Sequence, residues 1–376
     1  MPAAPLNTSG ATYARVAGLP LRIDRCELRP LVRDVSSGFT KISTVVRLSG
    51  DGHEGLGEDI TWDQIDQIEQ LRHAGDLSCL RGTRTLEEFS TLVGLADLFP
   101  VEPIRGSTRF YRRWAFESAA LDLALRQNGL SLQDAIGRVA EPVTFVVSTG
   151  LGDPAGLGPL HVLRSLNPSL RFKLDPTPSW GRALVAELAA LDCVDVVDMK
   201  GRYSNATVAM DADPALYRRV FEALPSALIE DPVVADDTVE LLDSHRNRVT
   251  WDEPIHSVAD IEALPWVPRL LNLKPSRFGS VRRLFDTYDY CKAHGIGAYG
   301  GGMFEQGPGR GQLQYLASLF HPDGPNDLAP IAYNMRSPLG DLPRSPLPPE
   351  PHPTGFRWGT YDARRSVRER DSGAAD

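Results

Sequence analysis

From Pro142 onward the chain alternates short apolar runs with amphipathic stretches of helical period, and no other feature of its 376 residues constrains the fold as much. Val143 to Ser148, Leu170 to Lys173, Val194 to Asp198, Ala227 to Glu230, Val249 to Asp252, Leu270 to Lys274 and Gly297 to Tyr299 read as strands, with Leu328 to Ala332 as an eighth. Between them, Arg182 to Leu191, Pro214 to Leu224, Asp237 to His245 and Ser280 to His294 read as helices. Buried strands separated by helices pair in parallel. Eight at this spacing predict an α/β fold of the (β/α)8 TIM-type barrel, because an open sheet would need fewer.

The segment before the barrel has a different pattern. Leu21 to Leu28 and Lys41 to Leu48 read as strands joined by a Ser-Ser-Gly-rich connection around Val35 to Phe39, whose composition suits a mobile loop. In Tyr111 to Arg126 the residues Trp114, Ala115, Ser118, Ala119, Leu121, Asp122 and Leu125 recur at helical spacing. The expected organisation is an α+β domain over 1–138, a barrel over 139–335 and a return segment over 336–376. Ser345 to Pro353 is too rich in proline to continue a helix or central strand, and the charged, small residues from Ala363 to Asp376 should fray.

Composition narrows the function. Hydrophobic residues at 42% and charged residues at 24% belong to a folded globular chain, and a formal charge of −9 argues against a surface built for nucleic acid or anionic lipid. Cys26, Cys79, Cys193 and Cys291 form no Cys-x-x-Cys pair, so neither a zinc knuckle nor a disulfide framework is indicated. The histidines show no ligand spacing. No stretch is apolar enough to cross a bilayer and no signal core opens the chain, so the expected setting is the cytoplasm and the expected partner a small molecule.

Five of the apolar runs end on an ionisable residue: Lys173, Asp198, Glu230, Asp252 and Lys274. Charges are seldom tolerated within barrel strands, but at their C-terminal ends they face the mouth where barrel enzymes carry their active sites. Taken singly, each carboxylate could cap a helix or pair with a local arginine. Three on consecutive strands point instead to one site, where their mutual repulsion calls for a cation and hard oxygen ligands suit Mg²⁺. The lysines fall on the second and sixth strands, opposite walls of an eight-membered ring. A lysine is a base near neutral pH only with a lowered pKa, which a neighbouring cation provides; Arg171 and the metal are the candidates beside Lys173. Metal plus opposed lysines is an apparatus for removing the proton next to a carboxylate, because the enediolate formed carries two negative charges on oxygen.

These residues resemble the enolase superfamily, in particular its muconate cycloisomerase-like (mandelate racemase/muconate lactonizing enzyme) subgroup. Arg171-Phe172-Lys173 is similar to the Lys-x-Lys of the second strand, Ile229-Glu230-Asp231-Pro232 to the fourth-strand metal motif, and Asp252-Glu253-Pro254 to the fifth-strand Asp-Glu-Ser. Asn272 to Arg277 resembles the segment bearing the opposite lysine, and Gly301-Gly302-Met303-Phe304-Glu305 the glycine-rich seventh-strand segment. Gly55-Leu56-Gly57-Glu58 and the helix of Asp122 resemble the capping domain that closes over the barrel. The resemblance implies Mg²⁺, replaceable by Mn²⁺, held by Asp198, Glu230 and Asp252; acid/base roles for Lys173 and Lys274, assisted by Arg171; and self-association. It also implies substrate contacts from Glu58, Lys200, Tyr299, Gly301, Met303 and Glu305, with the Val35 to Phe39 loop and Glu58 to Trp62 setting specificity.

The sequence departs from this pattern in two places. Asp198-Met199-Lys200 stands where Asp-Ala-Asn is usual, adding a third cation, and arginine replaces the first lysine of Lys-x-Lys. Tyr299 and glycines stand where mandelate racemase-like members carry a histidine, which disfavours that branch. Racemisation or epimerisation, cycloisomerisation and syn β-elimination all suit two lysines. A sugar-acid dehydratase and a non-catalytic metal- or metabolite-binding barrel are the alternatives.

Overall fold

The structure is a computed structural model describing residues 11–36, 38–73, 77–202, 209–335 and 342–359. Ser37 of the Ser-Ser-Gly connection and the Ala363 to Asp376 tail lie outside the described residues.

The first domain contains β1 (Pro20–Ile23), β2 (Arg25–Asp34), β3 (Thr40–Gly50), β4 (His53–Asp59) and β5 (Gly82–Thr85). The single strand expected over Leu21 to Leu28 is two. The chain leaves one sheet for another at Asp24, so that β1 pairs with β5 while β2 runs antiparallel to β3 from Arg25 opposite Ser49 to Asp34 opposite Thr40. The helix Thr108–Gln127 lies across β4, and the expected face is buried. Gly57 permits that approach, since a Cβ there would lie 2.0 Å from the Ala115 carbonyl oxygen.

The second domain is a parallel sheet in strict chain order: β6 (Val147–Thr149), β7 (Phe172–Leu174), β8 (Val194–Asp198), β9 (Leu228–Glu230), β10 (Val249–Trp251), β11 (Leu270–Leu273) and β12 (Gly297–Gly300). The helices Arg182–Leu191, Pro214–Ala223, Val239–Ser244 and Val281–Ala293 connect them. Side-chain caps start two of them: Asp213 accepts from the Ala215 and Leu216 amides at 3.0 Å, and Ser280 accepts from the Arg283 amide at 3.3 Å.

Leu328 to Ala332 is not a strand. Pro330 has no amide to donate and leads into a 3₁₀ turn over Ile331–Asn334. The eighth position is taken two residues earlier, where Asn326 bridges to Phe145 and Asp327 to Gly301, both in parallel sense, and the ring closes. The bridges are backbone bonds, from the Val146 amide to the Asn326 carbonyl and from the Gly302 amide to the Asp327 carbonyl at 2.9 Å, and the Asn326 side chain braces them, accepting from the Gly300 amide at 2.7 Å and donating to the Thr144 carbonyl at 2.8 Å.

The C-terminal segment returns to the first domain. Asp122, fully buried, accepts from the Leu56 and Phe356 amides at 2.9 Å and from Arg357 Nε at 2.8 Å, tying β4, the long helix and the return segment together. Among the described residues no helix is long and apolar enough to cross a membrane.

Candidate active site

Asp198 and Glu230 are the last residues of β8 and β9 and stand opposite each other in register; Asp252 follows β10 directly. All three are fully buried, and one carboxylate oxygen from each lies within 4.8 Å of the others. Lys173 on β7 and Lys274 just past β11 are four strands apart, on facing walls. Lys173 Nζ bonds to Glu230 and lies 3.2 Å from Asp198 and 3.7 Å from Asp327. Lys274 and Arg277 approach the two oxygens of Asp252 at 2.9 and 2.8 Å. Lys200 pairs with Asp198 and, at 3.3 Å, with Asp175; its backbone is left-handed at φ 54°.

The electrostatics follow from burial and crowding. Asp198 and Asp252 are held below the usual carboxylate range despite their burial, Asp198 by Lys200 and Lys173, Asp252 by Arg277 and Lys274. Glu230 is pushed up to about 8 by burial, against Lys173 and with Asp198 and Asp252 beside it. Burial alone would lower Lys173, but Glu230, Asp198 and Asp327 raise it well above its ordinary value. Asp231, left-handed at φ 46°, is raised to about 7 by burial and by Asp252 and Asp198; it accepts from the Asp252 and Glu253 amides at 2.9 and 2.8 Å and so fixes the turn after β10. Tyr299 donates to Glu230 Oε2, as does Asn272 Nδ2 at 3.3 Å. Three hard oxygen donors converging from adjacent strands and drawing in every nearby cation are a donor set that fits a divalent ion such as Mg²⁺.

Above this floor is a cavity of about 360 Å³ between the domains. Phe39, Trp62, Arg105, Ser107, Thr108 and Tyr111 of the first domain face Lys173, Lys200, Lys274, Arg277, Met303, Phe304 and Asp327 of the barrel. Lys173, Lys200, Lys274 and Met303 thus gather at the cavity, over Asp198, Glu230 and Asp252. Gly301 borders Lys274, while Tyr299 is fully buried against Glu230 and does not line the cavity.

Three more expected site residues lie outside the cavity. Arg171 sits at the N-terminal end of β7, outside the cavity, where it pairs with Asp195 at 2.6 Å and donates to the Asp192 carbonyl. Arg171 precedes β7, at the end of the strand away from the mouth, and its guanidinium is taken up by Asp195 of β8, the extra residue where the pairing of β7 with β8 shifts register, so it does not reach the site. Glu58 is buried and accepts from the Gln306, Gly307 and Gly309 amides at 2.8, 2.9 and 3.1 Å and from Ser43 at 2.8 Å. It caps the helix Pro308–Phe320 of the barrel from the first domain. Glu305 accepts from the Met303 amide at 3.0 Å and lies 3.5 Å from Arg310, shaping the loop from inside.

Sequence reasoning passed over Arg277, one helical turn beyond Lys274, as well as Asp175 and Asp327. The signal for Arg277 was its spacing from a strand-end lysine; Asp327 follows no apolar run and gave none.

The family described as domain of unknown function DUF8230 matches twice, its N-terminal domain over residues 14–135 and its C-terminal domain over 139–335. Muconate lactonizing enzyme from Pseudomonas putida superposes with a TM-score of 0.62 at 20% identity, covering 92% of this chain and 99% of that one. A protein from Enterococcus faecalis V583 described as an unknown member of the enolase superfamily gives 0.68 at 20% identity, covering 92% and 97%. The chain is a DUF8230 protein of the enolase superfamily. Its subgroup is the muconate cycloisomerase-like one, and its fold is that superfamily's capping domain on a barrel. o-Succinylbenzoate synthase of Bacillus subtilis (strain 168) is 27% identical over 224 residues, 57% of each chain. N-succinylamino acid racemase of an Amycolatopsis species is 32% identical over 232 residues, 58% of this chain and 61% of that one. The matched stretches thus span under two thirds of these two relatives.

Proposed function

We propose that this DUF8230 protein is a Mg²⁺-dependent isomerase or lyase of the cytoplasm that removes the α-proton of a small carboxylate, as a racemase or epimerase, a cycloisomerase or a syn-eliminating lyase. The observation carrying this reading is the opposition of Lys173 and Lys274 across the Asp198, Glu230 and Asp252 cluster, at the floor of one cavity. Asp198, Glu230 and Asp252 would hold the ion. Once bound, it would supply positive charge that offsets the second negative charge of the enediolate and weakens the carboxylates' hold on the Lys173 proton.

The side chains supply the rest. A neutral lysine on one wall accepts the proton from the α-carbon, and the protonated lysine opposite returns one to the other face, which inverts the centre. Where a β-substituent leaves instead, the lysine that took the proton is on the right side to return it to the leaving group. Phe39, Trp62, Tyr111 and Phe304 exclude water above the reacting carbon. The names of the relatives place N-succinylamino acids and the precursor of o-succinylbenzoate among the substrates to test first. Self-association is part of the same proposal.

The experiment is α-hydrogen exchange in deuterated water with Mg²⁺, over N-acyl amino acids, dipeptides, lactones and sugar acids. Each of Lys173→Ala and Lys274→Ala should abolish exchange for one stereoisomer. Exchange indifferent to both substitutions would sink the proposal, and binding without exchange would make the protein a binding barrel.

A further inference from the structure

Lys41, on β3, is 2% exposed, yet among the described residues no carboxylate comes within 4.0 Å of its ammonium. Nζ donates to the Ile60 and Thr61 carbonyls at 3.0 and 3.2 Å and lies 4.8 Å from the centre of the Trp62 ring. The acidic groups around it are committed to other partners. Glu58 is bound by barrel amides, Asp59 by Arg112 at 2.8 Å, Asp63 by Arg105 at 3.0 Å, and Glu305 by the Met303 amide. A buried ammonium without an ion-pair partner is expensive, and burial pushes its pKa down to about 8. Its bonds all go to one place, the backbone leading into Trp62 and the face of that ring.

The Trp62 ring packs at 5.5 Å on Phe39 and 5.9 Å on Phe304, which are 5.6 Å from each other. The three come from three separate loops, two in the first domain and one after β12, and all line the cavity. Phe304 is left-handed at φ 61°, a conformation a bulky residue keeps only when its surroundings impose it.

We propose that Lys41 is the positioning residue of an aromatic lid, fixing the Ile60–Thr61 backbone and the Trp62 ring against Phe39 and Phe304 so that the cavity closes over an apolar part of the substrate. The link to substrate rests on reading the cavity as the catalytic site; the lid itself does not. Losing the cation–π contact and two charge-assisted hydrogen bonds shifts lid opening by about tenfold.

The test follows Trp62 alone, as the difference in acrylamide quenching between each protein and its Trp62→Phe counterpart. Lys41→Met should make Trp62 several-fold more quenchable with unchanged far-UV circular dichroism, and Lys41→Arg should restore much of the protection. In the unsubstituted protein the same exposure should grow as pH rises past about 8, a measurement available even if Lys41→Met does not fold. With a substrate carrying an apolar group, Lys41→Met should raise KM about tenfold and leave kcat nearly unchanged. A quenching constant indifferent both to Lys41→Met and to pH would overturn the proposal. A lid that loosens as described in a protein that exchanges no α-hydrogen would leave the lid standing and refute the catalytic reading.

Discussion

A Cβ on Gly301 would stand 2.6 Å from Cε of Lys274 and 2.9 Å from Oδ1 of Asn272. The lysine reaches Asp252 through space that only glycine leaves open, and the nearest obstacle is the far end of a flexible side chain. Gly301→Ala should therefore fold with little change in Tm while displacing Lys274. A shift of about 1 Å in a reacting group can lower the rate about 10²-fold, so exchange should fall by that order for the stereoisomer that depends on Lys274. Proton NMR in deuterated water reads this directly; equal loss for both stereoisomers would mean that Gly301 does not act through Lys274.

Glu58 offers a contrast, because its bonds cross from the first domain to the barrel. Glu58→Ala leaves three amides and the Ser43 hydroxyl without their acceptor, and a buried donor left unsatisfied costs about 1–3 kcal/mol, so the loss should be about 3 kcal/mol or more. Urea unfolding measures it. A variant as stable as the parent but with a raised KM would return Glu58 to the substrate contacts.

The barrel was legible because its signal is local: each strand is a short apolar run and each helix between them has its own period. Val194–Asp198 and Arg182–Leu191 begin and end where periodicity puts them. The cluster of Asp198, Glu230 and Asp252 was legible for a related reason, since a charge ending a buried strand has one place to point. What escaped depends on tertiary detail. Closure of the ring falls to the backbone of Asn326 and Asp327, two polar residues, where an apolar run was expected at Leu328. Arg171 is held away from the site by its pairing with Asp195 of β8, and Glu58 by the approach of a barrel loop 248 positions away. Neither leaves a mark in residue spacing.

Metal and proton should compete for the same oxygens. Burial raises Glu230 to about 8 and Asp231 to about 7, and raises Glu58, Glu117 and Asp122 as well. Above the ordinary carboxylate range the folded chain keeps protons that the unfolded chain has released, so stability falls as pH rises toward those values. His321, lowered to about 4 by burial, acts in the opposite sense, but only below its ordinary value of 6.5. Asp198 and Asp252, held low, contribute only in acid. Between about pH 6.5 and 8 the metal-free protein should lose Tm, and the rise on adding Mg²⁺ should be larger at pH 8 than at 6.5. Calorimetry with EDTA and with Mg²⁺ at both values tests this; a metal-free Tm that climbs across the interval would contradict the assignment.

Tyr299 was expected to touch substrate, but its hydroxyl is buried and donates to Glu230, whose Oε2 also accepts from Asn272 at 3.3 Å. A group in that place acts by orienting a metal ligand. Groups of this kind typically change metal affinity by about 10- to 100-fold when removed. Tyr299→Phe keeps the ring that fills the barrel interior and deletes only the hydroxyl, so the fold should persist while Mg²⁺ binds weaker by that factor in isothermal titration. At saturating Mg²⁺ most of the exchange rate should return, because the lysines are untouched. A variant with unaltered Mg²⁺ affinity and a raised KM would place the hydroxyl on the substrate side of Glu230, where the geometry does not put it.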